Sequence, residues 1–247
     1  MTDGAQPWLE AMEATWPPAR TETHAPITLR DGQGGGKRVS AASVAGAGAL
    51  APEALRAAED HMRARAQAPL FMITPNQRAL DAQLEAEGYG IVDPVHLYGA
   101  PVAALAGLDP GAHPITDAEA PLAIMSEIWA EDGVGASRRA VMARTGGPRS
   151  HLLTRHGDRA AGVGFIAAHG EIAMIHALYV RPIFRRKGQA RALLRHAALW
   201  ARERGAARIG LAVTRANGPA NALYRALGME TVGGYHYRLR DAARDAA

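Results

Sequence analysis

The chain of 247 residues contains no cysteine. That excludes a disulfide framework, thiolate metal ligands and a cysteine nucleophile, and it fits a reducing compartment. No apolar run approaches the roughly 18 residues of a membrane span. The opening stretch, MTDGAQPWLEAMEATW, has no basic segment followed by an apolar one, so no secretory leader is expected. These absences point to a cytoplasmic protein without a membrane partner. Several catalytic signatures are missing too. There is no His-Glu-x-x-His, and the ten histidines are scattered, so no metal is expected. There is no Gly-x-Ser-x-Gly for an acyl-serine enzyme. The segment Gly32-Gln33-Gly34-Gly35-Gly36-Lys37 falls one residue short of a Walker A loop, and Arg38 stands where that loop needs Ser or Thr. A hairpin turn is the expectation there.

Positive charge is present in one place. Between Arg181 and Arg208 there are nine Lys or Arg and a single acid, Glu203, although the whole chain carries only +4. A local basic cluster on an otherwise acidic chain suits one anionic ligand at one site. It is short and lacks interleaved aromatics, so nucleic-acid binding is not expected.

Periodicity and punctuation give the elements. A leading helix stops at Trp16-Pro17-Pro18. Strands at 27–30 and 38–41 flank the glycine-rich turn. A helix over 51–65, a strand over 69–74, a helix over 76–87 stopped by Gly88 and a strand over 90–98 follow. Residues 101–114, rich in Pro, Gly and Ala, read as a linker. Thr116 with Glu119 suggests a capping box for a helix over 117–130, followed by a helix over 137–144. Three strands at 150–155, 160–168 and 171–180 are joined by tight turns. A long amphipathic helix over 188–204 shows Leu193, Leu194, Ala197 and Ala201 on one face. A strand at 208–214, a helix at 219–227 and a strand at 231–239 complete the chain. The order strand–helix–Gly–strand at 69–98 returns at 208–239. This repeat suggests a tandem of related units, with chance similarity of two βαβ pieces as the alternative.

The strand–turn–helix at 171–204 is where chemistry is expected. Arg185-Arg186-Lys187-Gly188-Gln189-Ala190 opens the long helix, and a helix N-terminus with free N–H groups binds phosphate. Gly188 allows close approach to the backbone. After the next strand comes Asn217-Gly218-Pro219-Ala220-Asn221-Ala222-Leu223-Tyr224-Arg225-Ala226-Leu227-Gly228-Met229. The pair Arg-x-x-Gly-x-Ala and Asn-x-x-Ala-x-x-Leu-Tyr-x-x-x-Gly-Met resembles the two motifs of the GNAT (GCN5-related) family of acyl-CoA-dependent N-acetyltransferases. Arg185, Gly188 and Ala190 match the first. Asn217, Ala220, Leu223, Tyr224 and Gly228 match the second, with Met229 in place of Phe.

The resemblance covers about the C-terminal 130 residues. It implies an α/β fold with a mixed, mainly antiparallel central sheet flanked by helices. It divides the chain into a degenerate GNAT-like unit at 1–100, a linker at 101–114 and an acetyltransferase domain at 115–247. A fragment 111–247 holds both motifs and is expected to keep much of the acetyl-CoA site. The resemblance implies acetyl-CoA as co-substrate. Backbone amides of Arg186, Lys187, Gly188, Gln189 and Ala190, beside Arg185, would hold its pyrophosphate. The strand edge at Leu178, Tyr179 and Val180 would pair with the pantetheine arm, and Asn217 would bond near that arm. Tyr224 would be the general acid for the leaving thiolate; a core aromatic is its alternative part.

The family's Glu on the strand before the loop falls here at Met174, a departure. His176 shares the face of Met174 and has a pKa suited to a base, or it is a packed core histidine. Trp129, Glu131 and Asp132, with Tyr235, His236 and Tyr237, are candidates for the acceptor pocket. The implied activity is acetyl transfer to a primary amine by direct attack, the acceptor unidentified. The alternative is a non-catalytic acyl-CoA sensor or scaffold. A homodimer is compatible with either.

Overall fold

The computed structural model describes residues 4–109, 111 and 113–240. Among the described residues eleven strands form two sheets. The small one orders β1 (Arg20–His24), β2 (Ile27–Asp31) and β3 (Ser43–Val44) as an antiparallel meander. The large one has eight strands in the order β4-β11-β5-β10-β9-β8-β7-β6. Its members are β4 (Leu70–Ile73), β5 (Gly90–Pro101), β6 (Ile115–Ala118), β7 (Arg149–His156), β8 (Arg159–His169), β9 (Ile172–Val180), β10 (Arg208–Thr214) and β11 (Glu230–Leu239). Only β9 and β10 are paired parallel within it. The expected mixed, mainly antiparallel sheet is therefore present.

The sheet does not stop at the proposed linker. β11 lies between β4 and β5, and β5 lies between β11 and β10. Each half of the chain thus inserts its last strand between two strands of the other half. The repeat read from the sequence is visible here: a meander, a helix, a strand, a helix and a strand occur twice. Even the parallel step recurs. Ala42, just before β3, bridges Phe71 of β4 in parallel, as β9 pairs with β10. Residues 101–114 are not all linker, since α5 (Val102–Ala106) lies inside them and packs on the long helix α8 (Gln189–Glu203).

One face of the large sheet carries α5, α8 and α9 (Gly218–Ala226). Leu193, Leu194, Ala197, Trp200 and Ala201 bury there against Leu152, Ile166, Ile175, Ile209 and Leu211. The other face carries α1 (Gln6–Thr15), α6 (Ala123–Glu131) and α7 (Ala136–Arg144). Trp8 of α1 lies directly over Gly99 and Gly210; a Cβ at either would meet its indole at 2.6 and 2.5 Å. Two bare backbone positions on adjacent strands therefore let α1 reach the sheet. A separate core, with Leu55, Met62, Phe71, Leu80 and Leu84, fills the N-terminal unit beneath α3 (Pro52–Ala64) and α4 (Arg78–Ala86).

Two local expectations are corrected. The glycine-rich segment is not a tight hairpin turn: it leads from β2 into a short helix, α2 (Lys37–Ser40), and the strand that pairs with β2 beyond it is β3, through Ile27↔Val44 and Thr28↔Ser43, while β1 pairs with β2 along its whole length. The expected helix over 117–130 starts late. Thr116 is in β6, opposite Leu153, and α6 begins only after Pro121 and Leu122. A helix begun at 117 would have placed Pro121 in its interior, where the missing N–H and the ring break the turn.

Candidate functional site

β9 and β10 pair from Arg208↔Ile172 to Leu211↔Ile175 and then separate. The cause lies in β9. Opposite β8 its register shifts between Val163↔Tyr179 and Phe165↔His176, and Ala177 within the shift has φ +47°. This β-bulge bends the strand away from its neighbour. Its carbonyl is held by the indole of Trp129, at 2.8 Å. Past the bulge, Leu178, Tyr179 and Val180 remain tied to β8 on one side, while their other edge has lost β10.

The chain then turns through a 3₁₀ segment, Pro182–Phe184, into α8. Arg181 anchors the turn with two bonds from its Nε to the Glu131 carboxylate, at 3.0 and 3.1 Å. Arg185 folds back on the loop, its Nε donating to the Val180 carbonyl at 3.1 Å and its guanidinium lying over the Tyr179 ring. The last backbone bond of the turn is from Arg185 N–H, and the next is from Ala192 N–H to Gly188 O. Among the described residues the amides from Arg186 to Arg191 take no backbone acceptor. Arg186 and Gly188 are both left-handed, at φ +60° and +82°. Successive N–H groups in such a turn, at the positive end of a 15-residue helix, form an anion-binding concavity. Arg186 and Lys187 are exposed beside it. The Gln189 side chain faces inward, accepting from Thr154 Oγ1 at 2.5 Å with its Nε2 3.0 Å from His113 Nδ1. Only its main chain can face a ligand. Ala190 packs against Ala161, Val180 and Phe184.

On the same face of the sheet, α9 places Tyr224 against the ring of Tyr98, with centroids 5.6 Å apart. Burial pushes its phenol up to about 12. Asn217 caps α9, its Oδ1 accepting from Ala220 N–H at 3.2 Å. The oxygen expected near a pantetheine arm is thus engaged in the cap. Asn221, not singled out from the sequence, fixes the loop between β10 and α9 through the Thr214 and Asn217 carbonyls and accepts from the Tyr98 hydroxyl.

On the opposite face the gap opens into a cavity of about 250 Å³. Ala177 of β9 and Ala212, Val213 and Thr214 of β10 line it, with Trp16, Tyr235 and Tyr237. Lys37, Arg38, Asp93, Asp132 and Arg138 bring charge to its walls. Lys37 is paired with Asp93 at 3.0 Å. Asp132 has no ion pair among the described residues, and burial raises its carboxyl above the ordinary range. His236 points away, to Asp81 at 2.8 Å.

His176 also lines the cavity, on the face of Met174, as its spacing indicated. Arg38 Nη1 lies 3.1 Å from its Nδ1, and Thr15 Oγ1 lies 2.8 Å from its Nε2. A guanidinium can only donate, so Nδ1 holds the lone pair and Nε2 carries the proton. Nε2–H then donates to Thr15, whose hydroxyl donates to the Ala11 carbonyl at 2.6 Å. The ring is neutral, and burial with the Arg38 charge holds its pKa well below the ordinary value. Both nitrogens are engaged, which leaves no lone pair for a substrate proton. Met174 is fully buried.

A group outside the cavity, Glu22, His24 and His61, brings three metal-ligand atoms within 4.8 Å of one another. Arg65 already bonds both Glu22 and His61 there.

Comparison with known proteins bears on the fold and on the C-terminal segment. A model of the acetyltransferase (GNAT) family matches residues 118–229. Streptothricin acetyltransferase of Streptomyces lavendulae is 48% identical over 59 residues, 24% of this chain and 31% of that protein. The match therefore spans about a third of the relative's length. A GCN5-related N-acetyltransferase from Kribbella flavida superposes with a TM-score of 0.73 at 17% identity, over 98% of this chain and 97% of that one. A tandem GNAT protein from the clavulanic acid biosynthesis pathway superposes at 0.62 with 15% identity, over 93% and 86% of the two chains. At such identities the superpositions speak for the fold; the matched segment speaks for the family. The segment 118–229, from the end of β6 to just beyond α9, is therefore similar to the acetyltransferase (GNAT) family.

Proposed function

We propose that the protein transfers an acetyl group from acetyl-CoA to a primary amine by direct attack. The observation that carries this is the gap between β9 and β10, with an amide-lined anion site at one end and a charged cavity across the sheet. The main-chain amides from Arg186 to Ala190 suit the pyrophosphate, with Arg186 and Lys187 beside them. Gly188, without a side chain, leaves its backbone open to approach. The unpaired edge at Leu178, Tyr179 and Val180 suits an extended arm that adds to the strand. Asn217 and Asn221 hold the facing loop in shape.

The acceptor amine enters from the cavity side. It must lose a proton to attack. With both nitrogens of His176 engaged, that proton goes to the Asp132 carboxylate, and His176 becomes a positioning residue that holds Arg38 and α1. Main-chain N–H groups at the Ala177 bulge polarise the thioester carbonyl. Tyr224 supplies the proton to the departing sulfur. Among the described residues its hydroxyl makes no hydrogen bond, and its raised pKa keeps it protonated at neutral pH. The N-terminal unit acts as a GNAT-like half without a phosphate loop; it covers the acceptor side.

The test is Tyr224→Phe. Acetyl-CoA affinity should change little, and the acetyl-transfer rate should fall roughly ten- to a thousandfold, bracketing the usual worth of an acid catalyst. The loss should appear equally in kcat and kcat/KM, measured by thiol release. Wild-type turnover in that variant, where chemistry limits the rate, would make Tyr224 a packing residue.

A further inference from the structure

Arg38 has an environment that its contacts with the protein do not complete. It sits on α2, where the glycine-rich segment carries the backbone from β2 into the cavity wall. Its Nη1 donates to the neutral ring of His176, and its Nε is buried with no hydrogen-bond partner among the described residues. Among the described residues no carboxylate lies within ion-pair distance of it. By contrast Arg30, nearby, is fully engaged by Glu13, Ala41 and Ser43. The Tyr235 and Tyr237 phenols beside Arg38 bring hydrogen-bonding capacity but no negative charge at neutral pH, and burial raises Tyr237 further. A largely buried cation with no counter-charge is costly to keep. The same cavity holds a second guanidinium, Arg138, with no ion pair among the described residues. It lies on the bare Gly36, where a Cβ would be 3.2 Å from its Nε and Nη2. With Lys37 and Asp93 paired to each other, two cations and Asp132 have no ion pair among the described residues around one space of about 250 Å³.

We infer that Arg38 is the specificity residue for a carboxylate on the acceptor, so that the acceptor is an amine that also carries a carboxylate, as in an amino acid. This rests on the acetyl-transfer reading above and narrows it. The acceptor carboxylate would complete the Arg38 guanidinium through its free Nε and remaining N–H groups. Asp132 would face the ammonium at the other wall. Arg138 leaves the cavity with a surplus positive charge, which disfavours polycationic amines without an acid group. His176 contributes by holding Nη1, so that the fork keeps one orientation.

The experiment compares matched acceptors, each amino acid against its carboxamide: β-alanine, ornithine and lysine with β-alaninamide, ornithinamide and lysinamide. Wild type, Arg38→Gln and Arg38→Lys are assayed by thiol release, with amine binding to the CoA-loaded protein read by calorimetry. In wild type the acids should exceed the amides in kcat/KM by roughly ten- to a hundredfold, the usual range for a charged hydrogen-bonded contact. Arg38→Gln should erase that ratio by raising KM for the acids. Arg38→Lys, which keeps the charge and loses the fork, should retain part of it. Equal use of acids and amides by wild type overturns the inference while leaving amine acetylation standing. So does a preference that survives Arg38→Gln. If no carboxylated amine either reacts or binds, the inference fails as well; acetyl-CoA binding, measured in the same samples, then decides whether the cofactor-site reading fails with it.

Discussion

His176 carries a pH dependence whose sign follows from its partners. Its folded-state pKa lies well below the ordinary 6.5, first through burial and then through the Arg38 charge. As pH falls through about 6.5 the unfolded chain takes up a proton that the folded chain refuses. The contribution of the neutral ring is therefore complete above that pH and declines below it, by up to about 1.4 kcal/mol per pH unit until the folded pKa is reached. His96 and His151 are lowered too, mainly by burial, and add slope in the same direction. Urea unfolding of wild type and His176→Gln at pH 7.5 and 5.5 isolates the His176 share. The variant should be less stable at pH 7.5 but lose less on acidification. Equal losses would mean that the ring is not held neutral by its site. At this scale the left-handed turn at Gly188 and the place of Tyr224 on α9 were legible because each sits in a short, locally spaced motif. The engagement of His176 was not. Its partners Thr15 and Arg38 lie 161 and 138 positions away, and no local pattern encodes such a contact. Asn217 was found by its motif, but its capping bond was not foreseen.

The turn into α8 is the element on which the cofactor reading stands, and it can be tested without turnover. Gly188 has φ +82°, a conformation that side chains rarely adopt, and an added Cβ would approach His113 Nε2 at 3.0 Å. Gly188→Val therefore strains the turn and moves the amides that would meet a phosphate. A strain of roughly 1–3 kcal/mol should lower the melting temperature of the free protein modestly. The larger effect should be loss of the rise expected from acetyl-CoA under the proposed function, because a ligand stabilises the folded state only in proportion to its binding. A variant with the wild-type rise would remove this turn from the site. The strands and helices after 149 followed their periodicity closely, with β10 spanning Arg208–Thr214 as expected, since each has one apolar face and a clear stop. Elements failed to match where a local signal had two meanings. Glycines before Arg38 suit a turn or a helix entry, and Thr116 suits a cap or an edge strand. In those places tertiary pairing decided.

At the scale of the molecule, the repeat was legible but the exchange of strands was not. Two related βαβ runs can stand side by side or interleave, and both arrangements satisfy the same hydrophobic pattern. Interleaving has a strong consequence. β11 has strand neighbours only in β4 and β5, both from the N-terminal half. Arg238 on β11 is buried, and it bonds to Asp81 Oδ1 at 2.6 Å and to the Tyr89 carbonyl at 3.1 Å. Arg240 reaches Glu59 of α3 at 3.0 Å. The cavity likewise takes Trp16, Arg38 and Asp93 from the first half. The fragment 111–247, although it contains both motifs, would leave β11 unpaired on both sides and Arg238 without its carboxylate. Breaking a buried pair in that way costs roughly 3–5 kcal/mol, comparable with the net stability of a whole domain. Alone, the fragment should show no cooperative melt and no acetyl-CoA-dependent shift. Expressed together with 1–109, it should co-purify as a stoichiometric complex that regains both. Circular dichroism melts with and without acetyl-CoA read the first outcome, and affinity capture through a tag on either piece reads the second. A lone 111–247 fragment that melts cooperatively and is stabilised by acetyl-CoA would mean that the exchanged strands are dispensable, and that each half closes its own sheet.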